Sequence, residues 1–241
     1  MNKISFVFLL TVFLFFTRLQ PASAQVVTIG DQGEIAWKVL GDETSNNSGI
    51  LNSSIEVKKV GNAAVNSKPT ISLSKDGENV SLSVISGNET RNLDVLGDDK
   101  NLVEVEERPY VQKVIIGVQG DKFSLTQGGI TALTDFPINV DARAARFSVK
   151  TGGGMEYIFV LPKEAVDTAL NSRLITSTDS DITITSDRGE VAYRIAGEKV
   201  FNFFDLFKYT IPVTTYVSAS SGKLTSIDSP TWFRFLKFLF I

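Results

Sequence analysis

The sequence predicts an α+β protein that is mainly antiparallel β, with β-hairpins arranged as a meander, one amphipathic helix at about residues 162–173 and a hydrophobic C-terminal segment. Short alternating or apolar runs recur about every ten residues, and Gly, Asp, Asn and Ser separate them, which is typical of strands joined by turns. One internal stretch places apolar residues at helical spacing. The 241 residues are 43% hydrophobic and 21% charged, so a sizeable core can form.

The first 24 residues are predicted to be a signal peptide. Lys3 makes the start basic, and Ala22-Ser23-Ala24 is a typical cleavage site. The mostly apolar run between them, residues 4–16, has 13 residues at about 1.5 Å each and cannot cross about 30 Å of hydrocarbon. We therefore expect cleavage after Ala24 and a secreted or extracytoplasmic protein. The absence of cysteine favours bacterial export.

Residues 25–107 are predicted to form an N-terminal β-rich region. Its expected hairpins have their strands at 26–29 and 34–40, 71–75 and 80–85, and 93–96 and 102–106. A further short strand is expected at 55–60.

Glu107-Arg108-Pro109 is the predicted boundary to a C-terminal α+β domain at residues 108–228. Its expected hairpins have their strands at 111–118 and 122–126, 182–185 and 190–195, and 211–219 and 223–227. Residues 127–137 are expected to form a loop, and 138–141 a short strand. Phe and Tyr are concentrated at residues 200–209, where core packing is the expected role.

The clearest local signals lie in the middle of this domain. Residues 146–150 alternate between polar and apolar types, and glycines at 152–154 suit a tight turn. The nearly continuous apolar run at 156–161 predicts a strand covered on both faces, at the centre of a sheet. Pro162 then suits the first turn of a helix, whose apolar stripe includes Ala165, Val166 and Ala169.

Residues 229–241 form a hydrophobic aromatic tail. On a helix its basic residues would face one side and most of its aromatic residues the other, as in helices that lie in a lipid headgroup region. Three roles are open: packing on the protein's own sheet, contact with a membrane surface, or contact with an envelope protein. The candidate contact residues are Trp232, Phe233, Arg234, Phe235, Lys237 and Phe238.

Composition limits the chemistry. The chain has no His and no Cys, which excludes a Ser-His-Asp triad, a Cys-His pair and most zinc sites. We assign no catalytic residue, metal ligand or cofactor, and the sequence identifies no small-molecule ligand. The net charge of −3 becomes −5 once Lys3 and Arg18 are removed with the signal peptide, which argues against nucleic acid as a partner.

The leading expectation is a non-enzymatic extracytoplasmic protein that binds an envelope surface or a protein partner through its tail. One alternative is a structural or inhibitor-like secreted domain whose tail belongs to the core. The other is an envelope hydrolase that uses carboxylates which the sequence does not identify.

Overall fold

The structure is a computed structural model that describes residues 26–38, 57–59, 69–77, 79–87, 89–95, 100–109, 112–203 and 207–230. The predicted signal peptide, residues 1–24, lies outside the described residues. The first ten strands are β1 (Val27–Ile29), β2 (Ile35–Lys38), β3 (Val57–Lys59), β4 (Thr70–Asp76), β5 (Asn79–Ser86), β6 (Glu89–Val95), β7 (Lys100–Val105), β8 (Val114–Gln119), β9 (Lys122–Gln127) and β10 (Ile130–Thr134). They are followed by β11 (Ile138–Asp141), β12 (Arg146–Thr151), β13 (Gly154–Ile158), helix α1 (Pro162–Asn171), β14 (Ser177–Asp187), β15 (Glu190–Phe203), β16 (Phe207–Ser218) and β17 (Leu224–Asp228).

The described strands form two sheets. The eleven-stranded sheet has the order β17-β16-β15-β14-β10-β9-β8-β7-β1-β2-β3, and the six-stranded sheet has the order β13-β12-β11-β4-β5-β6. Most neighbouring strands are antiparallel, so the predicted fold of mainly antiparallel β with one short helix is confirmed at that level. Two pairs in the eleven-stranded sheet, β1 with β7 and β10 with β14, are parallel.

Both parallel pairs flank an excursion of the chain into the six-stranded sheet. After β3 the chain supplies β4, β5 and β6 to that sheet, and it then returns beside β1 as β7. After β10 it supplies β11, β12 and β13, and it returns through α1 as β14. The two three-stranded units meet where β11 pairs with β4. The six-stranded sheet is thus assembled from two distant parts of the chain.

One hydrophobic core lies between the elements. It contains side chains of both sheets, for example Ile29 and Leu125 of the eleven-stranded sheet and Leu73 and Val149 of the six-stranded sheet, each fully buried. In β4 and β5 of the six-stranded sheet, buried side chains alternate with more exposed ones, since successive residues of a strand point to opposite faces. Its second face therefore points away from the core.

The predicted helix is confirmed at Pro162–Asn171. Its buried residues Pro162, Ala165, Val166 and Ala169 pack against strands of the eleven-stranded sheet. The side chain of Glu164 accepts a hydrogen bond from the Leu161 amide at 3.2 Å, which satisfies a free N–H at the helix start.

The hairpin expected at residues 93–96 and 102–106 is wrong. Strand β6 pairs with β5 in the six-stranded sheet, whereas β7 pairs with β1 and β8 in the eleven-stranded sheet. The side chains explain the separation. Leu102, Val103 and Val105 of β7 are fully buried, whereas Leu93 of β6 is 38% exposed. The turn-forming residues in the sequence between β6 and β7 therefore do not indicate a hairpin of these two strands.

The loop expected at residues 127–137 contains a strand, β10, that forms a hairpin with β9. Gly128 and Gly129 connect the two strands with φ of +56° and +80°, the left-handed conformation that a two-residue hairpin turn requires at both positions. The Gly-Gly pair was the signal for this turn.

The aromatic segment at residues 200–209 only partly joins the core. Phe201 is partly buried against it, with the Lys199 ammonium 5.9 Å from its ring centroid. Val200 and Tyr209 are exposed. They lie where the β15–β16 hairpin extends beyond its neighbours, because β14 pairs with β15 only as far as Glu198.

The predicted division at residue 107 stays a prediction. Each side of it supplies strands to both sheets: β7 pairs with β8 across the boundary, and β4 pairs with β11. Arg108, at the boundary itself, donates hydrogen bonds to the carbonyl oxygens of Gly30, Ala142 and Arg143 at 2.8–2.9 Å.

Candidate binding surface

The tail residues predicted to make contact lie outside the described residues. This applies to Trp232, Phe233, Arg234, Phe235, Lys237 and Phe238, so their role stays a prediction. The described residues contain a different set of exposed aromatic side chains.

An exposed apolar row lies along β13 and the residue directly after it. Met155, Tyr157 and Phe159 alternate with inward-facing residues and are 51%, 52% and 61% exposed. The rings of Tyr157 and Phe159 stack with their centroids 5.8 Å apart and an interplanar angle of 25°. We call these three residues the aromatic edge. Large contiguous apolar patches are uncommon on soluble proteins and often mark contact surfaces.

The aromatic edge corrects the prediction of a central strand at residues 156–161. Strand β13 is the outermost strand of the six-stranded sheet, and only one face of it is covered. Tyr157 and Phe159 supplied the apolar character from which a fully buried strand was inferred. Aromatic residues have the same high strand preference on an exposed face as on a buried one.

The edge strand is held in place by both sheets. Strand β12 pairs with it along its length. The carboxylate of Glu156 accepts a hydrogen bond from the Thr151 hydroxyl of β12 at 2.8 Å and another from the Val191 amide of β15 at 3.0 Å. The amides of Phe159 and Val160 both donate to the Ala219 carbonyl, at 2.9 and 3.0 Å. The bonds to Val191 and Ala219 connect this strand to the eleven-stranded sheet and the turn after β16, and they hold the aromatic edge in place.

A buried tyrosine adds to this junction. The Tyr193 hydroxyl donates a 2.7 Å hydrogen bond to the Val160 carbonyl. Tyr193 is fully buried, and burial raises the pKa of its phenol far above the ordinary value, with a smaller contribution from the negative charge of Glu164. The phenol therefore stays protonated and keeps its role as a donor.

The aromatic edge continues into a row of neutral polar residues. Tyr157 pairs with Ser148 of β12, and Ser148 pairs with Asn139 of β11. The row then crosses the remaining strands by direct cross-strand pairing. Its six members, which we call the central row, are Tyr157, Ser148, Asn139, Ser72, Ser83 and Asn92. At a strand spacing of about 4.8 Å the row is about 24 Å long.

The polar groups of the central row are largely unused within the protein. Asn139 Nδ2 lies 3.8 Å from Met155 Sδ, so the amide reaches over Ser148 towards the aromatic edge. In the described part of the chain, the side chains of Ser72, Ser83, Ser148 and Asn92 make no hydrogen bond to the protein. Ser148 is only 7% exposed, so the donors and acceptors that a ligand can reach in this row are those of Ser72, Ser83 and Asn92.

The rows on either side of the central row are electrically balanced. One carries Arg146 and Asp141, which form an ion pair at 3.5 Å. The other carries Lys150 beside Met155 at one end, and Asp94, which accepts a 3.1 Å hydrogen bond from Ser81, at the other. The outward side chains of these three rows therefore have no net charge. We call this surface the outer face.

Sequence reasoning missed the outer face because long-range pairing creates it. The alternation of Ser with apolar residues in β4 and β5 was visible in the sequence. That β11 pairs with β4, and so aligns Asn139 with Ser72, depends on contacts between distant segments. No local turn or spacing signals this pairing.

The described residues form neither a metal-binding cluster nor a membrane-spanning helix. Within the described ranges, no group of three metal-binding side chains is close enough to hold an ion. Helix α1, at ten residues, falls well short of the length and apolar content that crossing a bilayer requires, and it is the only helix described.

Comparison with known proteins gives no family model, no curated protein and no solved structure that matches this chain. Functional inference therefore depends on the residues and their arrangement.

Proposed function

We propose that this is a non-enzymatic, extracytoplasmic protein that binds a component of the cell envelope, and that the outer face is its contact surface. The aromatic edge is the observation that carries the proposal. Two large apolar side chains on β13 and a third directly after its end are 51–61% exposed, and covering the exposed part of each would contribute about 1–2 kcal/mol. Their backbone is held by pairing with β12 and by the bonds of Phe159 and Val160 to Ala219, so a partner meets them already ordered.

Export is the second part of the proposal and follows from the predicted signal peptide. The aromatic tail adds a second contact, with a membrane surface or an envelope protein as its partner. A structural or inhibitor-like role and hydrolysis by unidentified carboxylates stay alternatives from the sequence.

Sedimentation with insoluble envelope material tests the proposal. The protein is mixed with envelope fragments from the cells that produce it, and the bound fraction is measured after centrifugation. We expect saturable binding that the double substitution Tyr157→Ala and Phe159→Ala weakens at least tenfold. Each lost aromatic contact accounts for at least about 1 kcal/mol, and 1.4 kcal/mol is a factor of ten.

Tyr209→Ala is the matched control. Tyr209 is 51% exposed, as Tyr157 is 52% exposed, but it lies on the β15–β16 hairpin. A variant that loses only general surface hydrophobicity should bind like wild type. Equal binding by the double variant and wild type would show that the outer face is not the contact surface.

A further inference from the structure

We propose that the outer face binds an uncharged polysaccharide chain along the central row, with Tyr157 stacking on a sugar ring. This inference rests on the proposed function and names the chemical class of its ligand.

The electrostatics of the outer face select an uncharged ligand. The six side chains of the central row are neutral, and each flanking row carries one positive and one negative side chain. An anionic lipid, nucleic acid or acidic polymer would lose hydration on this surface without meeting a surplus of positive charge. A neutral ligand loses much less hydration free energy when it binds there.

The chemistry of the central row suits a ligand with many hydroxyl groups. Ser72 and Ser83 each offer a donor and two acceptor positions, and Asn92 offers both an amide donor and a carbonyl acceptor. These groups make no hydrogen bond within the described part of the protein. Sugar hydroxyl groups can bond to several of them at once, and this fixes orientation.

The shape of the surface suits an extended chain. The central row, from Tyr157 to Asn92, is about 24 Å long on the usual spacing of strands, which accommodates several sugar rings in succession. At one end Tyr157, which is 52% exposed and stacked with Phe159, offers an aromatic surface. The C–H faces of a sugar ring carry a slight positive potential, and they pack on the negative face of an aromatic ring.

A peptide ligand fits this region less well. Peptides commonly bind a sheet by adding a strand to an open edge. The Glu156 carboxylate of β13 already bonds to Val191 of the neighbouring sheet, and the amides of Phe159 and Val160, just beyond the end of β13, bond to Ala219. The side chains of the outer face are thus left as the contact surface.

Chemical treatment of the envelope material identifies the ligand class. Envelope fragments are extracted with organic solvent and digested with protease, and half of the sample is then oxidised with periodate, which cleaves vicinal diols of sugars. We expect the full-length protein to bind the extracted, digested fragments and to lose at least ten-fold in affinity after periodate. Iodate-treated fragments are the control. Raising the salt concentration should leave binding nearly unchanged, because no charged contacts are involved.

Two substitutions test the position of the chain. Tyr157→Ala removes the platform at one end, and Asn92→Lys places a charge at the other end, on an exposed side chain that tolerates change. Each should weaken binding to the digested fragments about tenfold, the usual size of one lost aromatic or polar contact at a binding site. Tyr157→Trp should retain affinity, and circular dichroism should show that all variants fold.

The outcomes separate the two proposals. If protease or solvent abolishes binding and periodate does not, the ligand is a protein or lipid; the polysaccharide proposal is then overturned while the contact surface stands. If periodate abolishes binding but neither substitution weakens it, a sugar binds elsewhere, and both the central row and the outer face are wrong. If Tyr157→Ala weakens binding and Asn92→Lys does not, the ligand does not extend along the central row.

Discussion

Arg108 holds the N-terminal strands to the six-stranded sheet, and its replacement by methionine should lower the free energy of unfolding by about 2–4 kcal/mol. The guanidinium bonds to the β1–β2 turn through Gly30 and to the β11–β12 turn through Ala142 and Arg143. Methionine keeps much of the length and apolar stem of arginine and removes every donor.

The magnitude follows from the three hydrogen bonds. The two from Nη2, to Gly30 O at 2.9 Å and Ala142 O at 2.8 Å, are partly buried, and a bond to a charged group contributes about 1.5–3 kcal/mol. The bond to Arg143 O is exposed and adds little. Gly30 O also accepts a hydrogen bond from the Gly33 amide at 3.0 Å and keeps it in the variant. The summed loss of stability should therefore lie towards the lower end of what two such bonds contribute. For a chain of this size the melting temperature should fall by about 5–15 °C.

Urea unfolding of the mature chain, followed by circular dichroism and by tryptophan fluorescence, measures the change. Arg143→Met is the matched control, because the side chain of Arg143 is exposed and only its carbonyl takes part in the contact. Lysine has one compact donor group, so the free energy of unfolding of Arg108→Lys should lie between those of Arg108→Met and Arg143→Met. If the free energies of unfolding of Arg108→Met and Arg143→Met differ by less than about 0.5 kcal/mol, the hydrogen bonds of Arg108 do not stabilise the fold. Separate transitions by the two probes would support independent N- and C-terminal domains.

Three further predictions concern other parts of the chain. Tyr193→Phe removes the bond to Val160 and should cost about 1 kcal/mol near neutral pH. Burial raises the pKa of Tyr193, so its contribution to the free energy of unfolding is complete below pH 10 and is lost as the pH rises above 10. In urea titrations at increasing pH, wild type should therefore lose stability more steeply than the phenylalanine variant. Gly197→Ala should cost about 1–3 kcal/mol in thermal unfolding, because a Cβ there would collide with the Ser177 carbonyl; an unchanged melting temperature would contradict this. Deleting Trp232–Ile241 should leave the circular dichroism spectrum intact and abolish sedimentation with anionic liposomes if the tail is a contact, whereas a lost β spectrum would assign it to the core.

The sequence predicted helices and hairpins correctly where residues close together in the chain specify them. Pro162 and the apolar stripe that follows it defined α1 without reference to any other part of the chain. Turn residues between alternating runs likewise located the β4–β5 and β8–β9 hairpins. In each case the residues that specify the structure are neighbours in sequence.

Prediction failed where an element's partner lies far away. Turn chemistry at residues 97–100 is equally compatible with a hairpin and with the observed passage from β6 to β7, between sheets. The apolar run of β13 is equally compatible with a central strand and with an edge strand that exposes Tyr157 and Phe159. Sequence periodicity describes which faces are apolar, and it does not determine what covers them.

The arrangement of the six-stranded sheet directs a partner to its face and away from its edges. An unpaired strand edge is an open template for another chain, and charged side chains or a covering element close it. At the β6 edge Glu89 and Arg91 form an exposed ion pair at 3.4 Å. At the β13 edge Glu156 and the backbone bonds to Ala219 provide the cover.

With both edges protected, added chains gain little from backbone pairing, and contacts must come from side chains that point outward. Those side chains are neutral along the central row and aromatic at its end. Such a surface offers stacking and hydroxyl or amide hydrogen bonds, which are short-ranged and insensitive to salt. Weakening the β13 cover, as in Glu156→Ala, should therefore loosen the aromatic edge and reduce binding even though the outer face keeps all its own residues.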